Sequence, residues 1–411
     1  SSRGLGDVYK RQHTNLGWPT RRMLTMRIGI IRENDAENRV SIVPNSIKKL
    51  IKAGFEVNIE TGAGDRSNHS DSEYETMGAK VVNRNEVVKA NILVSIGFPN
   101  LEDTPDGCVL VCVADPFRNP ERVKICNDKK ITLLSLDMIP RRISRAQSMD
   151  VNSSQDNLAG YRSVILGASM VPKAIPMMTT SAGTVKPSKV VIMGSGVAGL
   201  QAIATAKRLG AVVFASDVRK SAAEQIESVG GRFIHVDGMD DFEDDSGYAK
   251  PLTPEFINKV NETVCEVAMD ADLIITTARI FGRPAPITIP ESAVGAFKSG
   301  AVIVDMNSDV GGNCEATVKN EIITTQNGVR VIGICNLPGT IPNTASMLFS
   351  NNLTSFLTSL VDDGEFTMSE SDDILVGAPV DTDFYVKGMG GVLVCRDGKI
   401  HDNQTRLSEV V

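Results

Sequence analysis

The sequence predicts an α/β protein of two open, doubly wound domains with a deep cleft between them. Three observations carry this. The chain of 411 residues is too long for one core, since single hydrophobic cores stop growing near about 250–300 residues. From Arg27 onward, short apolar runs alternate with segments of helical spacing, the rhythm of parallel strands joined by crossover helices. Residues 189–217 then hold a strand, a glycine turn, a helix, a second strand and an acid in direct succession.

The elements follow in order. A first domain is expected over residues 26–150 plus 345–405. It opens with a strand at Arg27–Ile31 and a helix at Pro44–Ala53 ended by Gly54. Phe55–Ile59 is the next strand, followed by the turn Thr61-Gly-Ala-Gly64. That turn lacks a third glycine and a following helix, so it is no second nucleotide site. Further strands are predicted near Lys80–Val82, Asn91–Ile96, Val109–Val113 and Ile131–Leu136. Residues 141–160 are polar and break the alternation. A helix from about Leu158 to Ala174 follows, and residues 151–178 are read as the crossing into a second domain at 179–340.

In the second domain strands are expected at Val190–Met193, Ala211–Ala215, Phe233–Val236, Asp272–Thr276, Ala301–Asp305 and Val329–Ile334, a full doubly wound sheet. Residues 237–252 form an acidic insertion with the length of a mobile lid. A helix at about Ala345–Val361, capped by Asn343 or Thr344, returns to the first domain. The end reads as a hairpin turning at Asp397-Gly398.

Composition narrows the function. A hydrophobic fraction of 42%, a charged fraction of 23% and a net charge of −7 belong to a soluble globular protein. The acidic balance argues against nucleic acid, whose binders present basic surface. No apolar stretch reaches the length that spans a bilayer, so direct membrane insertion is not expected. The seven cysteines are odd in number and lie in strand-like runs, the pattern of free buried thiols in a reducing compartment. The four histidines show no metal-ligand spacing, so no metal is expected. Residues 1–25 are basic, aperiodic and hold Trp18. They are set apart as a disordered or non-native leader, either a transit-type peptide or a remnant upstream of Met23 or Met26.

The glycine turn carries the first chemistry. Gly194 permits the tight turn out of the strand, Gly196 lets a pyrophosphate approach the backbone, and Gly199 lets the helix pack on the sheet. The helix N-terminus offers free N–H groups and a positive dipole end to phosphate. Asp217, about 20 residues beyond the turn, can accept bonds from a ribose diol, which favours NAD over NADP. Arg219, two residues on, points the other way. Both domains are expected to be Rossmann-like, and the second is expected to bind NAD(H).

A dehydrogenase of alcohols or amines must move a proton with its hydride, and needs a general base. The second domain offers His235 alone among histidines, and that residue reads as a strand-end side chain. Hydride passed between two nicotinamides needs no such base, only positioning.

Longer motifs carry a resemblance. They are Arg141-Arg-Ile-Ser-Arg-Ala-Gln-Ser-Met-Asp150, Ser153-Ser-Gln-Asp-Asn-Leu-Ala-Gly-Tyr-Arg162, Pro176-Met-Met-Thr-Thr-Ser-Ala-Gly-Thr184, Gly194 to Arg219, Gly247-Tyr-Ala-Lys250 and Gly311-Gly-Asn-Cys314. With them the chain resembles the NAD(H)-binding domain I family of proton-translocating NAD(P) transhydrogenases, in the form made as a separate alpha subunit. The resemblance implies that Arg142, Gln147 and Asp150 hold the nicotinamide end and that Ser153 meets the carboxamide. It implies a dinucleotide-binding set of Gly194, Gly196, Val197, Ala198, Gly199, Asp217, Val218, Arg219, Tyr248, Thr277, Ala278, Asp309, Gly311 and Asn336. Tyr248 would belong to a loop that closes over NAD. Also implied are NADP(H) on a partner beta subunit, a membrane-spanning subunit that carries the protons, and a homodimer. The place implied is cytoplasmic, peripheral at the inner face of the bacterial inner membrane.

Alanine dehydrogenases share the plan and are the alternative. They carry a lysine where this chain reads Ser95-Ile-Gly-Phe-Pro99, and a catalytic histidine where it reads Ala114-Asp-Pro-Phe117. Asp305-Met-Asn-Ser-Asp309 departs from the transhydrogenase pattern, and its Asp309 is nearer the dehydrogenase form. A non-catalytic, NAD-responsive regulatory protein is the third reading.

Overall fold

The computed structural model describes residues 26–141, 143–219, 221–238, 253–280, 282–377, 391–402, 404 and 407. The leader, Arg142, and Tyr248 with most of the acidic insertion lie outside the described residues.

Alternating apolar runs and capped helices build the first sheet. Its strands and helices are β1 (Arg27–Ile30), α1 (Pro44–Lys52), β2 (Glu56–Glu60), α2 (Asp71–Thr76), β3 (Lys80–Val82), α3 (Arg84–Val87), β4 (Ile92–Val94), β5 (Val109–Cys112), α4 (Pro120–Asp128) and β6 (Thr132–Ser135). The linking helix α5 (Val151–Met170) leads to a hairpin of β7 (Met178–Thr180) and β8 (Gly183–Val185). The second sheet region holds β9 (Lys189–Met193), α6 (Val197–Arg208), β10 (Val212–Ser216), α7 (Ala222–Ser228), β11 (Arg232–Phe233), α8 (Pro254–Ala268), β12 (Leu273–Thr276), α9 (Glu291–Ala296), β13 (Val302–Asp305), β14 (Ile322–Thr324) and β15 (Arg330–Ile332). Then come α10 (Pro342–Ser359), β16 (Val361–Asp362), β17 (Glu365–Phe366), α11 (Asp373–Val376), β18 (Leu393–Arg396) and β19 (Lys399–Ile400).

The first sheet has eight strands in the order β19-β18-β6-β5-β4-β1-β2-β3, and the second has seven in the order β11-β10-β9-β12-β13-β15-β14. Strands β1 to β6 are parallel, and β18 joins β6 antiparallel. In the second sheet all pairings are parallel except that of β14 with β15. Strand order therefore reverses between β9 and β12, the crevice where such sheets take ligands. Each sheet is covered on both faces by apolar clusters.

Two helices join the halves. Val151 of α5 lies in a core of the first sheet and Val164 in a core of the second. On α10, Phe349, Leu353, Phe356 and Leu357 are fully or almost fully buried against the first sheet. A methyl added at Gly160 would stand 2.1 Å from the Ala198 carbonyl oxygen, so α5 and α6 touch backbone to backbone there.

The structure departs from expectation at several elements. Helix α5 starts at Val151, not near Leu158, because the Asp150 side chain accepts from the Ser153 N–H and caps it. Helix α10 starts at Pro342, ahead of the expected cap. The Asn343 amide instead donates to the Ser67 carbonyl at 3.1 Å. Strand β11 is shorter than expected. Edge strand β14 is absent from the sequence-based expectation, being three residues long with both outer residues exposed. So is the β7–β8 hairpin, whose strand residues are all exposed. The final hairpin turns at Asp397 and Gly398, both at positive φ, as the Asp-Gly pair requires.

Candidate functional site

The site is built where β9 and β12 diverge. The chain leaves β9 through Gly194 at φ 100°, a conformation that favours glycine. A methyl at Gly194 would lie 2.5 Å from the Thr277 hydroxyl oxygen, and one at Gly199 would lie 2.0 Å from the Gly194 carbonyl oxygen. A methyl at Gly196 would meet nothing within 4 Å. Two of the glycines are thus needed for packing, while the middle one faces open space. That space adjoins the start of α6, where Val197 is exposed. Free N–H groups and open room at a helix N-terminus make an anion site.

Thr277, just after β12, donates toward the Met193 and Gly194 carbonyls at 3.1 and 3.2 Å. The hydroxyl therefore ties the two strand ends across the crevice. The carbonyl of Ala278 accepts from the Asn307 and Asn313 amides at 3.0 and 2.8 Å. Under them sits Asp305, fully buried at the end of β13. It accepts from the Asn307, Asn313 and Cys314 N–H groups and from the Thr276 and Thr317 hydroxyls. The loop of Gly311 and Gly312, both at positive φ, is fixed by this one carboxylate.

Asp217 follows β10. Its Oδ2 accepts from the Ser195 N–H at 2.9 Å and hydroxyl at 2.7 Å, and its Oδ1 accepts from the Arg219 N–H and Nε, each at 3.0 Å. Burial alone would raise this carboxyl, but the bonds from Arg219 and Ser195 outweigh it and hold the group below the ordinary carboxylate range. Both oxygens are engaged by the chain itself, an arrangement that sequence reading did not supply. Val218, beside them, is exposed.

The stretch 143–153 packs on a core of the first sheet through Ala146, Met149 and Val151. Asp150 is buried and accepts from the Ser153 hydroxyl at 2.5 Å, with the Arg141 Nε 3.5 Å away. Gln147 is exposed on a 3-10 segment, Ser144–Met149. Asp309 faces them from the second sheet, paired with Arg279 at 3.3 Å and with Arg118 of the first domain at 3.8 Å. Asn336, at φ 50°, sits at the junction of the two halves. Its amide donates to Glu37 at 2.9 Å and accepts from the Gly339 N–H at 3.2 Å, so its side chain is occupied by the protein. Glu37 in turn holds Arg39, which reaches Gln155 at 2.7 Å.

Sequence reading named the glycines, Asp217 and the 141–153 loop as candidates. It passed over Ser195, Asn307, Asn313, Arg118 and Arg279. Ser195 stood inside the glycine turn in plain view, a hydroxyl where only backbone is required. Asn313 stood in the Gly311-Gly-Asn-Cys314 motif, whereas Arg118 and Arg279 reach Asp309 from distant segments, for which the sequence holds no local signal. Among the described residues no cluster of His, Cys, Asp or Glu could hold a metal ion, and no helix is long and apolar enough to cross a membrane.

Comparison with known proteins shows the family of the chain. Two family models match, "Alanine dehydrogenase/PNT, N-terminal domain" over residues 29–159 and "Alanine dehydrogenase/PNT, C-terminal domain" over 163–386. The chain is 43% identical over 373 residues to an NAD(P) transhydrogenase subunit alpha polypeptide of Rhodospirillum rubrum, covering 87% of this chain and 97% of that one. A solved transhydrogenase from Sinorhizobium meliloti superposes with a TM-score of 0.79 at 37% identity, covering 91% of this chain and 100% of the other. The alanine dehydrogenase of Bacillus subtilis is 27% identical over 338 residues, 79% of this chain and 83% of that one.

Proposed function

The chain belongs to the alanine dehydrogenase/PNT family, and from that premise we propose that it is the NAD(H)-binding alpha component of a proton-translocating NAD(P) transhydrogenase. In this reading NADH is held in the second domain and its hydride passes directly to NADP⁺ on a partner beta subunit. A separate membrane-spanning subunit carries the protons and keeps this chain at the inner face of the bacterial inner membrane. The observation that carries the reading is the likeness to a transhydrogenase alpha subunit over nearly the whole of both chains, joined to an open glycine turn at the sheet crevice.

The residues fit a dinucleotide. The N–H groups at the start of α6 and the open space at Gly196 suit a pyrophosphate. Val197 and Ala198 line that helix start, and Thr277 and Ala278 form the facing wall. Asp217 suits the adenosine ribose once the Arg219 side chain turns aside, leaving Ser195 to hold the carboxylate. Gln147, Asp150 and Ser153 supply polar groups for the nicotinamide carboxamide, with Asp309 and Gly311 opposite. The dinucleotide supplies the hydride when bound, and the chain's own role is to bind, orient and expose it. No residue need move a proton at the reacting carbon, which removes the need for a base.

A second copy of the chain is the proposed partner for the exposed β7–β8 hairpin, where Met177, Met178 and Val185 present apolar surface. Sedimentation of a monomer at micromolar concentration would remove this element of the reading.

The enzymatic test mixes the purified chain with NADH and an NADP analogue, with and without the NADP-binding partner. Rapid reduction of the analogue that depends on both proteins is expected, and no reduction of NAD on adding alanine. Alanine-dependent NADH formation would move the chain to the dehydrogenase side.

A further inference from the structure

Asp156 is a carboxylate to which the proposed function gives no task. It lies on α5 one turn beyond Ser153, and positions three apart share a helix face. It is half-buried, and it makes no hydrogen bond or ion pair with any described residue. The neighbouring acids differ. Asp150 caps α5 and accepts from Ser153, and Asp309 is paired with Arg279 and Arg118. Asp156 stands among these groups. The charges near enough to act on it are Arg141 and Asp150 from the linking loop and Arg279 and Asp309 from the second sheet.

The burial has a consequence. Desolvation pushes the Asp156 carboxyl above the ordinary carboxylate range despite Arg141 and Arg279 nearby. With no bonded partner among the described residues, both carboxyl oxygens are left to accept from a ligand. It lies where groups of both sheets converge, beside the residues proposed to hold the nicotinamide end.

We propose that Asp156 is a further cofactor-binding residue, whose carboxyl meets the hydroxyl or amide donors of the nicotinamide riboside half of the bound dinucleotide. This rests on the reading of the chain as an NAD(H)-binding component. A nicotinamide riboside carries two ribose hydroxyls and a carboxamide N–H₂, all donors, and a carboxyl accepts them. The contact fixes the rotation of the ring-bearing end, while the pyrophosphate and adenosine are held elsewhere.

The test compares two ligands that differ by that half. Dissociation constants for NADH and for ADP-ribose are measured by calorimetry on wild type, Asp156→Asn and Asp156→Ala, with thermal unfolding as a check on folding. Loss of the hydrogen bonds to the carboxyl should weaken NADH binding roughly tenfold or more in Asp156→Ala. ADP-ribose affinity should be unchanged, and Asp156→Asn should recover some of the NADH loss. Equal NADH affinity in all three proteins, or an equal fall for both ligands, would overturn the assignment. If both variants failed to fold, Asp156→Glu, whose carboxyl is displaced by one methylene, should lower NADH affinity relative to ADP-ribose, and an unchanged ratio would overturn the assignment. Failure of the wild type to bind NADH at all would sink the underlying functional reading instead.

Discussion

At Gly196 a methyl group would meet empty space, whereas at Gly194 and Gly199 it would strike protein. Three glycines of one motif therefore have different reasons. Those reasons were legible from spacing, because each concerns the backbone of its own neighbourhood. Glu33 was not legible in the same way. It is buried behind β1, and its Oε1 accepts from the Ile96 N–H at 2.5 Å. Burial pushes its carboxyl from 4.5 up to about 7, the bond from Ile96 opposing. The stability attached to its protonated form is complete below the unfolded value of 4.5 and is lost as pH rises through about 7. Glu33→Gln keeps an acceptor for Ile96 and removes the titration. Unfolding midpoints of the variant should flatten across that window. Above it the variant should exceed wild type by on the order of 3 kcal/mol. Parallel curves would contradict this.

Among elements, the long strands were readable because apolar runs such as Lys189–Met193, with four buried residues in five, have no other use in a globular chain. The start of α5 was not, since a polar run that is capped by its own Asp150 looks the same on paper as a loop. Strand β14 is defined by pairing with β15 rather than by its own residues. Helix α10 shows why element type and domain membership are separate matters. It comes after the second sheet in the chain, yet Phe356, fully buried, packs in a core of the first. Phe356→Ala should lower stability by about 3–5 kcal/mol. Denaturant unfolding followed by circular dichroism would register it, and a change below about 1 kcal/mol would show that α10 is not held by this face.

In the whole molecule, side-chain bonds tie the halves. Asn336 to Glu37 and Asn38 to Gly339 join them beside the connecting helices. Arg118 and Asp309 meet across the cleft at 3.8 Å, both partly exposed. An exposed pair of that length contributes about 0–1 kcal/mol, so it closes the cleft without locking it. The stretch Ala114 to Phe117 has no histidine, and Gly282 of the second domain lies against Phe117, a methyl there being 3.2 Å from the Phe117 Cβ. Direct transfer of hydride between two nicotinamides is the step on which the proposed function depends. The measurement that tests it is the fate of deuterium from NADH dideuterated at C4, so that either transferred hydrogen is labelled, with NADP⁺ and the NADP-binding partner present in ordinary water. Deuterated NADPH in full yield, with no label in solvent, is the predicted result. Unlabelled NADPH, or none with a competent partner, would contradict it.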